Sequence, residues 1–437
     1  MRIYLNKKSI IKWYIMLYPL CDILYTLTRS LNLAVNFNQM IRGLGLILFI
    51  SCISDEKHFI KTAIATMLIV FSFAYNTIIG ISTSMTTDIA NTLKVINNFV
   101  ILYAFIDLYK KGKVNFEEVS RWLIISSYIV VASILISYLG IGLESYAGSG
   151  RSGVKGFFTI QSTITLYLLL ILPLYYYKYR NLISLQMLLC VAALFSIGSK
   201  TGVFGTILEY IVFFVFDLKL ANRGKRLSRK RLITYACIII CAMTGGVYGI
   251  WHYIQYLINL YHSKAYYYSL EAFLLSNRND HITWITQCIE NLKYGEGNVA
   301  GILFGYSYSG VASLVKSAGY KFEALERDFH GIYYYNGILV LSILILVLVS
   351  LLRKMMKNNL KSRFSNLQSL TIILIFCVGI IYAFLGGHLF YEAMNQIPFW
   401  IVTANIYFNP SITENKKNGN VGDYYEKNRY FDISQSI

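Results

Sequence analysis

The sequence predicts an all-α polytopic membrane protein with about 12 transmembrane helices and a large helical extracytoplasmic loop. Three observations support this fold class: 56% of the 437 residues are hydrophobic and only 14% are charged, the mean hydropathy is +0.51, and there are only four prolines. A soluble domain of this length would be more polar. The apolar residues form long continuous runs, whereas a membrane β-barrel would show alternation over pieces of roughly ten residues.

Twelve apolar stretches are interpreted as transmembrane helices, because a bilayer core of about 30 Å requires roughly 20 apolar residues per helix. No small-residue cleavage site follows the first stretch, so we expect a retained helix and not a signal peptide. The predicted helices cover residues 9–27, 37–54, 62–81, 95–109, 122–142, 158–177, 182–198, 201–217, 232–251, 331–352, 367–386 and 388–408.

The distribution of basic residues predicts the orientation of these helices. Lys and Arg gather in alternate loops, and twelve helices place 28 of the 40 on one side and 11 on the other. Cytoplasmic loops of membrane proteins carry the excess of Lys and Arg. We therefore expect a protein of the cell membrane with both termini in the cytoplasm. The same bias accounts for the net charge of +18. We therefore expect contact with membrane lipid and no nucleic-acid partner.

The chain divides into four predicted segments. Residues 1–251 carry helices one to nine, residues 252–329 form a large extracytoplasmic loop or cap, residues 330–408 carry helices ten to twelve, and residues 409–437 form a cytoplasmic polar tail. Most other outer loops are short, and a loop this long is usually functional or disordered. This one is rich in Tyr, Ile, Leu and Phe and contains helical patterning, which favours a folded cap.

Acidic and titratable residues stand where this loop enters the tenth apolar stretch. Glu326, Asp328 and His330 lie within five positions of the sequence. A helix start has unpaired N–H groups and a positive dipole end, which disfavour a charged imidazole. His330 is therefore a candidate general base, with Asp328 or Glu326 as the alternative. The competing interpretation is an interfacial histidine with Asp328 as the helix cap.

A few cations oppose the positive-inside trend on the predicted outer face. They are Arg151, Lys155, Lys200 and Arg278, and an anionic ligand would offset the cost of their position. A surface salt bridge is the alternative. No outer histidine pair has metal-ligand spacing with a third ligand, so no metal and no cofactor is expected.

Four further charges lie inside predicted membrane helices. Asp22, Arg42, Glu209 and Glu392 are each costly unless they are paired or hydrated. They could also line a proton path, which would favour a transporter.

Short patterns recur in a fixed order along residues 145–350. "RSGVKGFFTIQST" carries Arg151 followed by Gly156 and Phe157, and "GSKTG" carries Lys200 in a hairpin between two helices. The long loop contains "SNRNDHITWITQCIENLKYGEG". Its matching residues are Arg278, Trp284, Gly295 and Gly297. The loop ends with His330, which enters a helix that contains Gly337.

This order of patterns, together with the helix count, resembles the O-antigen polymerase and ligase superfamily, and most of all its Wzy-type repeat-unit polymerases. Members join lipid-diphosphate-linked sugars on the outer face of the cytoplasmic membrane. The sequence departs from the family pattern at Lys200, where an arginine is usual, and at Gly331, where an asparagine usually follows the histidine. The usual Asn-Pro after Gly-x-Phe is also replaced, and an Arg-x₁₀-Gly spacing is absent at Arg151 and Arg278.

The resemblance implies a membrane glycosyltransferase that polymerises polyprenyl-diphosphate-linked oligosaccharide units of capsular, exopolysaccharide or O-antigen type. Arg278, Lys200 and Arg151 would bind the diphosphate of the donor, and His330 would accept the proton of the acceptor hydroxyl. Aromatic faces stack on sugar rings. The candidate sugar contacts are Trp284, Tyr333, Tyr334 and His281. A protein that regulates chain length is a candidate partner.

Two other functions remain open from the sequence. An O-antigen ligase-type transferase would keep the chemistry and change the acceptor. A transporter or flippase of lipid-linked oligosaccharide would also have twelve helices with both termini inside. Transporters usually show two similar halves and short outer loops, whereas this sequence shows no internal repeat and has one long outer loop after helix nine.

Overall fold

The computed structural model describes residues 6–30, 37–145, 153–222, 255, 258–259, 278–290, 299–319, 325, 327–360 and 366–408. These residues form helices without a β-strand, which confirms the all-α prediction. The helices are α1 (Lys7–Ser30), α2 (Phe37–Ile50), α3 (Glu56–Ile78), α4 (Met85–Lys110), α5 (Phe116–Ile136), α6 (Gln161–Tyr179), α7 (Leu185–Ile197), α8 (Lys200–Asn222), α9 (Arg278–Glu290), α10 (Val299–Phe304), α11 (Tyr308–Ser317), α12 (Asp328–Leu360), α13 (Asn366–Leu385) and α14 (Ala393–Ala404).

Seven of the described helices are long and apolar enough to cross a membrane. They are α1, α3, α4, α5, α8, α12 and α13. The shorter helices α2 and α7 are also apolar, and α6 and α14 coincide with two further predicted stretches. The ninth predicted stretch, residues 232–251, lies outside the described residues. The prediction of a polytopic membrane protein is confirmed, while the count of twelve spans and the four segment boundaries stay predictions.

The centre of the fold is formed by α4, α6 and α14, which are buried on nearly all sides. Every residue of α14 is buried, and so are residues 95–109 of α4 and 163–176 of α6. A helix that is buried all round needs partners for its polar side chains as well as for its apolar ones. Asn97 of α4 meets this need by donating to Gln396 of α14 at 2.8 Å.

One end of the bundle collects the basic residues, and we call it the basic end. Lys7 donates to the end of α2 at Ser51, and Lys8 pairs with Glu118 at the start of α5 at 2.8 Å. Asp107 at the end of α4 accepts from the backbone before α3. Phe116 packs on Tyr177, which joins the start of α5 to the end of α6. The helices therefore run alternately toward and away from this end.

The long helix α12 is broken near its start at Gly337. This residue has φ 83° and ψ 175°, which separates a short helix of residues 328–336 from a long helix of residues 338–360. The sequence predicted one helix over residues 331–352 with a glycine inside it, and the break corrects that prediction. Only glycine adopts this backbone conformation without substantial strain.

The break leaves backbone carbonyls without helical partners, and residues 305–307 satisfy two of them. The N–H of Tyr306 donates to the carbonyl of Tyr334 at 2.8 Å, and the N–H of Ser307 donates to that of Tyr335 at 3.2 Å. Gly305, with φ 72°, allows the close approach of the two backbones. The segment that carries α10 and α11 is thus joined to the short helix.

The same segment is anchored to the hairpin of α3 and α4. Asp88 accepts the backbone N–H of Ser309 at 2.8 Å and its hydroxyl at 2.6 Å. The carbonyl of Phe304 accepts from Ser72 and Asn76 of α3. These buried contacts hold this part of the predicted cap at the end of the bundle opposite the basic end.

Gly337→Ala should destabilise the protein. The new Cβ would overlap the backbone of Leu303 and Phe304, and the backbone strain alone is worth about 1–3 kcal/mol. We expect a clear drop in the thermal unfolding temperature of the detergent-purified protein.

The matched control is Gly43→Ala in α2, where a Cβ meets no atom within 4 Å and alanine is the better helix former. Equal unfolding temperatures for the two variants would contradict the role assigned to Gly337.

Candidate functional site

The loop between α13 and α14, residues 386–392, is the centre of the candidate site. Its sequence is "GGHLFYE", and it lies at the end of the bundle opposite the basic end. Gly387 and His388 both have positive φ, 71° and 68°. Positive φ is uncommon for a residue other than glycine, so the surrounding contacts must hold His388 in place.

Asp328, the first residue of α12, binds this loop through its carboxylate. It accepts the backbone N–H groups of His388 at 2.8 Å, Leu389 at 2.6 Å and Phe390 at 3.0 Å. Its exposed fraction is only 1%. Both carboxylate oxygens are therefore engaged, and the side chain positions the loop against the short helix. This is a different role from the base that the sequence offered as an alternative to His330.

The carbonyls of the loop are also satisfied by side chains. The carbonyl of Phe390 accepts from Asn98 at 2.9 Å and from Gln396, and the carbonyl of His388 accepts from Asn395 at 2.8 Å. Trp400 in turn donates to the side-chain oxygen of Asn98 at 2.7 Å. The loop is consequently fixed by α4 and α14 as well as by Asp328.

The last residue of the loop, Glu392, binds two cations. Arg42 of α2 donates to it at 2.7 Å and Lys94 of α4 at 3.3 Å. The side chains of Glu392, Arg42 and Lys94 are 13%, 16% and 26% exposed. Arg42 also donates to the hydroxyl of Tyr18 at 3.1 Å, and Asp22 lies close enough for its charge to act on Arg42. Two of the charges that were expected to need partners inside the membrane are therefore paired with each other.

Glu209, another of those intramembrane charges, lies on α8 and is 2% exposed. Both of its carboxylate oxygens lack a hydrogen-bond partner among the described residues. It lies outside the loop network, and nothing in the described contacts connects it with the candidate site.

His330 lies on the first turn of the short helix, two residues after Asp328. Its imidazole is partly exposed, and its ring centre is 6.5 Å from that of Phe384. The Nδ1 atom is buried and has no hydrogen-bond partner among the described residues, and the same holds for the hydroxyl of Tyr391. Buried polar atoms are nearly always paired, so these two atoms, one on the turn of His330 and one in the α13–α14 loop, mark a place where a ligand or water could bind.

Gly331 follows His330 and is covered by Tyr391. A Cβ at Gly331 would lie 3.2 Å from the ring of Tyr391 and 3.4 Å from the ring of Tyr335. An asparagine side chain would not fit unless these rings moved. The structure thus gives a packing reason for the glycine that replaces the asparagine of the family pattern.

The helix that begins at Arg278 packs beside the short helix of residues 328–336. The hydroxyl of Thr286 in α9 is in hydrogen-bond contact with that of Tyr334. Ile285, Cys288 and Ile289 share a small apolar cluster with side chains of α11 and with Tyr335. The side chains of Arg278 and His281 lie outside what the structure describes, so their separation from His330 stays a prediction.

Two of the four candidate sugar contacts, Trp284 and Tyr333, are partly exposed. Tyr333 packs against Tyr334 with ring centres 5.1 Å apart. Tyr334 uses its hydroxyl to hold α9, which gives it a role in positioning.

Lys200 begins α8, and its neighbour Thr201 lies 3.4 Å from the hydroxyl of Tyr382 on α13. Phe384, which contacts His330, is two residues further along α13 and points to a different side of that helix. Lys200 and His330 therefore lie beside different faces of α13. Arg151 and Glu326 lie outside the described residues.

The loop that follows Arg151 is folded against the bundle. Lys155 donates to the carbonyl of Thr159 at 3.0 Å, and burial lowers the pKa of its ammonium group. Val154 and Phe157 bind the ends of α7 and α5 through their N–H groups. The loop positions the ammonium group of Lys155 at the same end of the bundle as the α13–α14 loop.

Sequence reasoning did not identify Lys94, Asn98 or Gln396 as part of the site. Lys94 stands one position before a predicted membrane stretch, where a lysine is ordinary. The sequence did contain one signal for the position of this network, the pair Arg42 and Glu392. Two opposite charges in apolar stretches far apart in the sequence are expected to pair with each other.

One group of three potential metal ligands occurs among the described residues, at the basic end. Asp55, His58 and Asp107 have ligand atoms within 4.8 Å of one another. Lys110 lies 3.3 Å from His58 Nε2 and 3.6 Å from Asp55. Because this ammonium already occupies the cluster, the arrangement is that of an internal ion-pair network.

Comparison with known proteins identifies one family. The family model described as "O-antigen ligase like membrane protein" matches residues 6–268, which is more than half of the chain. No curated protein matches the chain. The match includes helices α1 to α8 and ends before α9.

Asp328→Asn should loosen the α13–α14 loop. The amide presents an NH₂ group where the carboxylate accepts backbone N–H groups, and hydrogen bonds to a charged group contribute about 1.5–3 kcal/mol each. We expect a lower thermal unfolding temperature and faster proteolysis within residues 386–392.

Glu117→Gln is the control for this change, because Glu117 is exposed and, among the residues that the structure describes, its ion pair is with Arg121 one helical turn away. Such surface pairs contribute little, so its unfolding temperature should equal that of the parent protein. An unfolding temperature and proteolysis rate of Asp328→Asn like those of this control would contradict the positioning role.

Proposed function

The chain belongs to the O-antigen ligase like membrane protein family, and on this premise we propose that it is a polymerase of polyprenyl-diphosphate-linked oligosaccharide repeat units. The family membership supports a membrane glycan-processing enzyme of the glycosyltransferase type. The donor is a growing glycan on its lipid diphosphate, and the acceptor is a sugar hydroxyl of a second lipid-linked unit. The product is a capsular, exopolysaccharide or O-antigen type polymer.

The proposed reaction exchanges one bond of the anomeric carbon for another. The bond from this carbon to the diphosphate oxygen breaks, and the bond to the acceptor oxygen forms. The electrons of the broken bond pass to the diphosphate, and the proton of the acceptor hydroxyl passes to a base. Fixed cations that meet the increasing negative charge of the diphosphate lower the barrier.

The position of His330 carries this proposal. Its imidazole is partly exposed, it stands on the first turn of a helix that Asp328 fixes to the α13–α14 loop, and its Nδ1 has no partner within the described chain. A general base must reach the hydroxyl whose proton it accepts. A partly exposed ring on a fixed backbone meets this requirement better than the buried carboxylate of Asp328. Glu326 is the second candidate for the base.

We assign the diphosphate to Arg278, with Lys200 and Arg151 as further cations. The contact between Thr286 and Tyr334 supports the first assignment, because it joins the helix of Arg278 to the helix of His330. Arginine binds phosphate through two parallel N–H groups, whereas Lys200 offers a compact charge. Trp284, Tyr333 and His281 are assigned to the sugar, and Tyr334 supports them.

The location follows from the same proposal. We place both termini in the cytoplasm and the α13–α14 loop, with the segments around α9 to α11, on the outer face of the cell membrane. The collection of lysines and arginines at the basic end supports this orientation. A chain-length regulator is the protein partner that such a polymerase would take.

A ligase-type transferase is the second candidate function, and the description of the matching family favours it. It would use the same donor and the same residues, and a different acceptor hydroxyl. Deletion of the gene separates the candidates. Single lipid-linked units on the outer face would support the polymerase, long unattached chains would support the ligase, and single units on the inner face would indicate a flippase and overturn the proposal.

His330→Gln and Arg278→Gln should each abolish polymer while the protein still reaches the membrane. Glutamine keeps hydrogen-bonding capacity in both places and removes the base or the charge. Loss of a general base costs about 100-fold or more in rate. The measurement is the length distribution of lipid-linked glycan in the deletion strain, with protein level determined in isolated membranes.

Lys316→Gln on α11 is the control, because this lysine is exposed and is not among the residues assigned to the donor, the acceptor or the base. It should give polymer of normal length. Normal polymer from His330→Gln or Arg278→Gln would remove that residue from the mechanism.

A further inference from the structure

A small crevice lies between α2, α4 and α14, beside the ion pair of Arg42 and Glu392. Its volume is about 100 Å³. A cavity needs roughly 10–15 Å³ of this kind of volume to hold one water molecule, so the crevice has room for a small polar group such as a phosphate. The lining residues are Gln39, Arg42, Gly43, Leu46, Thr86, Ile89, Ala90, Leu93, Lys94, Asn97, Ala393 and Gln396.

The charges that line the crevice are positive. Arg42 and Lys94 are on its wall, and its described lining contains no carboxylate. Glu392 and Asp22, which act on Arg42, are not lining residues. Glu392 pairs with both cations, and the charge of Asp22 acts on Arg42. The wall therefore presents an ammonium and a guanidinium, together with the neutral polar groups of Asn97 and Gln396.

The two cations have donors to spare. A guanidinium has five N–H groups. Within the described contacts, Arg42 uses one for Tyr18 and one for Glu392, and Lys94 donates to Glu392 only. Three donors of Arg42 and two of Lys94 are thus left for an anion. Phosphate oxygens are the acceptors that suit such a group best.

Part of the crevice lining is exposed on an apolar surface of the bundle. Its rim includes Ile89 and Leu93, which are 38% and 42% exposed. The adjacent surface of α2 is apolar as well, with Met40 and Leu44 more than half exposed. An apolar rim around a pair of cations suits an anion that is attached to a hydrocarbon chain.

We propose that this crevice binds the phosphate group of a membrane lipid, which enters between α2 and α4 from the bilayer. The proposal rests on the proposed function for one of its two lipid sources, the polyprenyl phosphate carrier; the other source is an anionic phospholipid. Glu392 connects the crevice to the α13–α14 loop, and its charge acts on Asp328, which fixes the turn of His330. A bound phosphate would therefore lie beside the loop that positions the proposed base.

Binding of a polyprenyl phosphate to the purified protein in a phosphate-free detergent tests the proposal. Lys94→Gln removes a cation and leaves Glu392 paired with Arg42. Gly43→Leu fills the crevice without changing a charge, since a Cβ there meets no atom within 4 Å. Each variant should bind about ten-fold or more weakly: Lys94→Gln because a charged hydrogen bond is lost, and Gly43→Leu because the new side chain takes the space of the phosphate. Lys316→Gln is the matched control and should bind as the parent protein does.

Two further ligands identify the source of the phosphate. A loss confined to polyprenyl phosphate identifies the carrier lipid, and an equal loss for phosphatidylglycerol identifies a general anionic lipid; both support the site. Uncharged polyprenol should bind equally to all variants. An equal loss for polyprenol would show that the crevice holds the chain and not the phosphate, which overturns the proposal. Unchanged phosphate binding by Lys94→Gln and Gly43→Leu overturns it too.

Failure of this proposal is distinguishable from failure of the proposed function. Normal lipid binding by the crevice variants, with polymer lost in His330→Gln, would remove the crevice and keep the polymerase. Weakened binding by the same variants, with no change of surface glycan on gene deletion, would keep the site and remove the polymerase. Thermal unfolding of each variant confirms that the folded protein is compared.

Discussion

The structure depends on the hydrogen bonds that side chains make to the backbone of one loop enclosed by membrane helices. Residues 386–392 have no regular secondary structure, and the N–H and C=O groups that are buried there require partners within the protein. Asp328 supplies one carboxylate for three N–H groups, and Asn98, Asn395 and Gln396 supply amides for the carbonyls. These side chains come from three helices, so α4, α12 and α14 are fixed relative to one another by the loop they enclose.

This arrangement explains why polar and charged groups are concentrated at one level of the bundle. Glu392 ends the enclosed loop with a charge, which requires a cation, and Arg42 of α2 and Lys94 of α4 provide it. At the other end of the same loop, Asp328 fixes the turn that carries His330. The proposed base, the enclosed loop and the cationic crevice are thus parts of one connected network, and each part limits the freedom of the next.

Hydropathy predicted the helical membrane fold because continuous apolar runs long enough to cross a bilayer are typical of membrane-spanning helices. It also identified Arg42 and Glu392 as charges in need of partners. It did not identify Lys94, and it did not assign to Asp328 the role of holding a loop 60 residues away, because such pairing depends on how distant helices pack and leaves no local pattern. Gly337 was noted as part of a motif, but its φ/ψ values depend on the backbone of residues 303–307 that packs against it. The placement of His330 at a helix start was predictable; the covering of Gly331 by Tyr391 was not.

The break at Gly337 also determines which parts of the chain can be exchanged between relatives. Residues 305–307 bind the two carbonyls just before the break, and α10 packs on α12 at that point. A hybrid that combined the α10–α11 segment of one protein with the short helix of another would have to form these backbone hydrogen bonds between segments from two different parents. A crossover placed after Gly337 would take both segments from one parent and keep these hydrogen bonds. The long helix of residues 338–360 is therefore the place to recombine such enzymes.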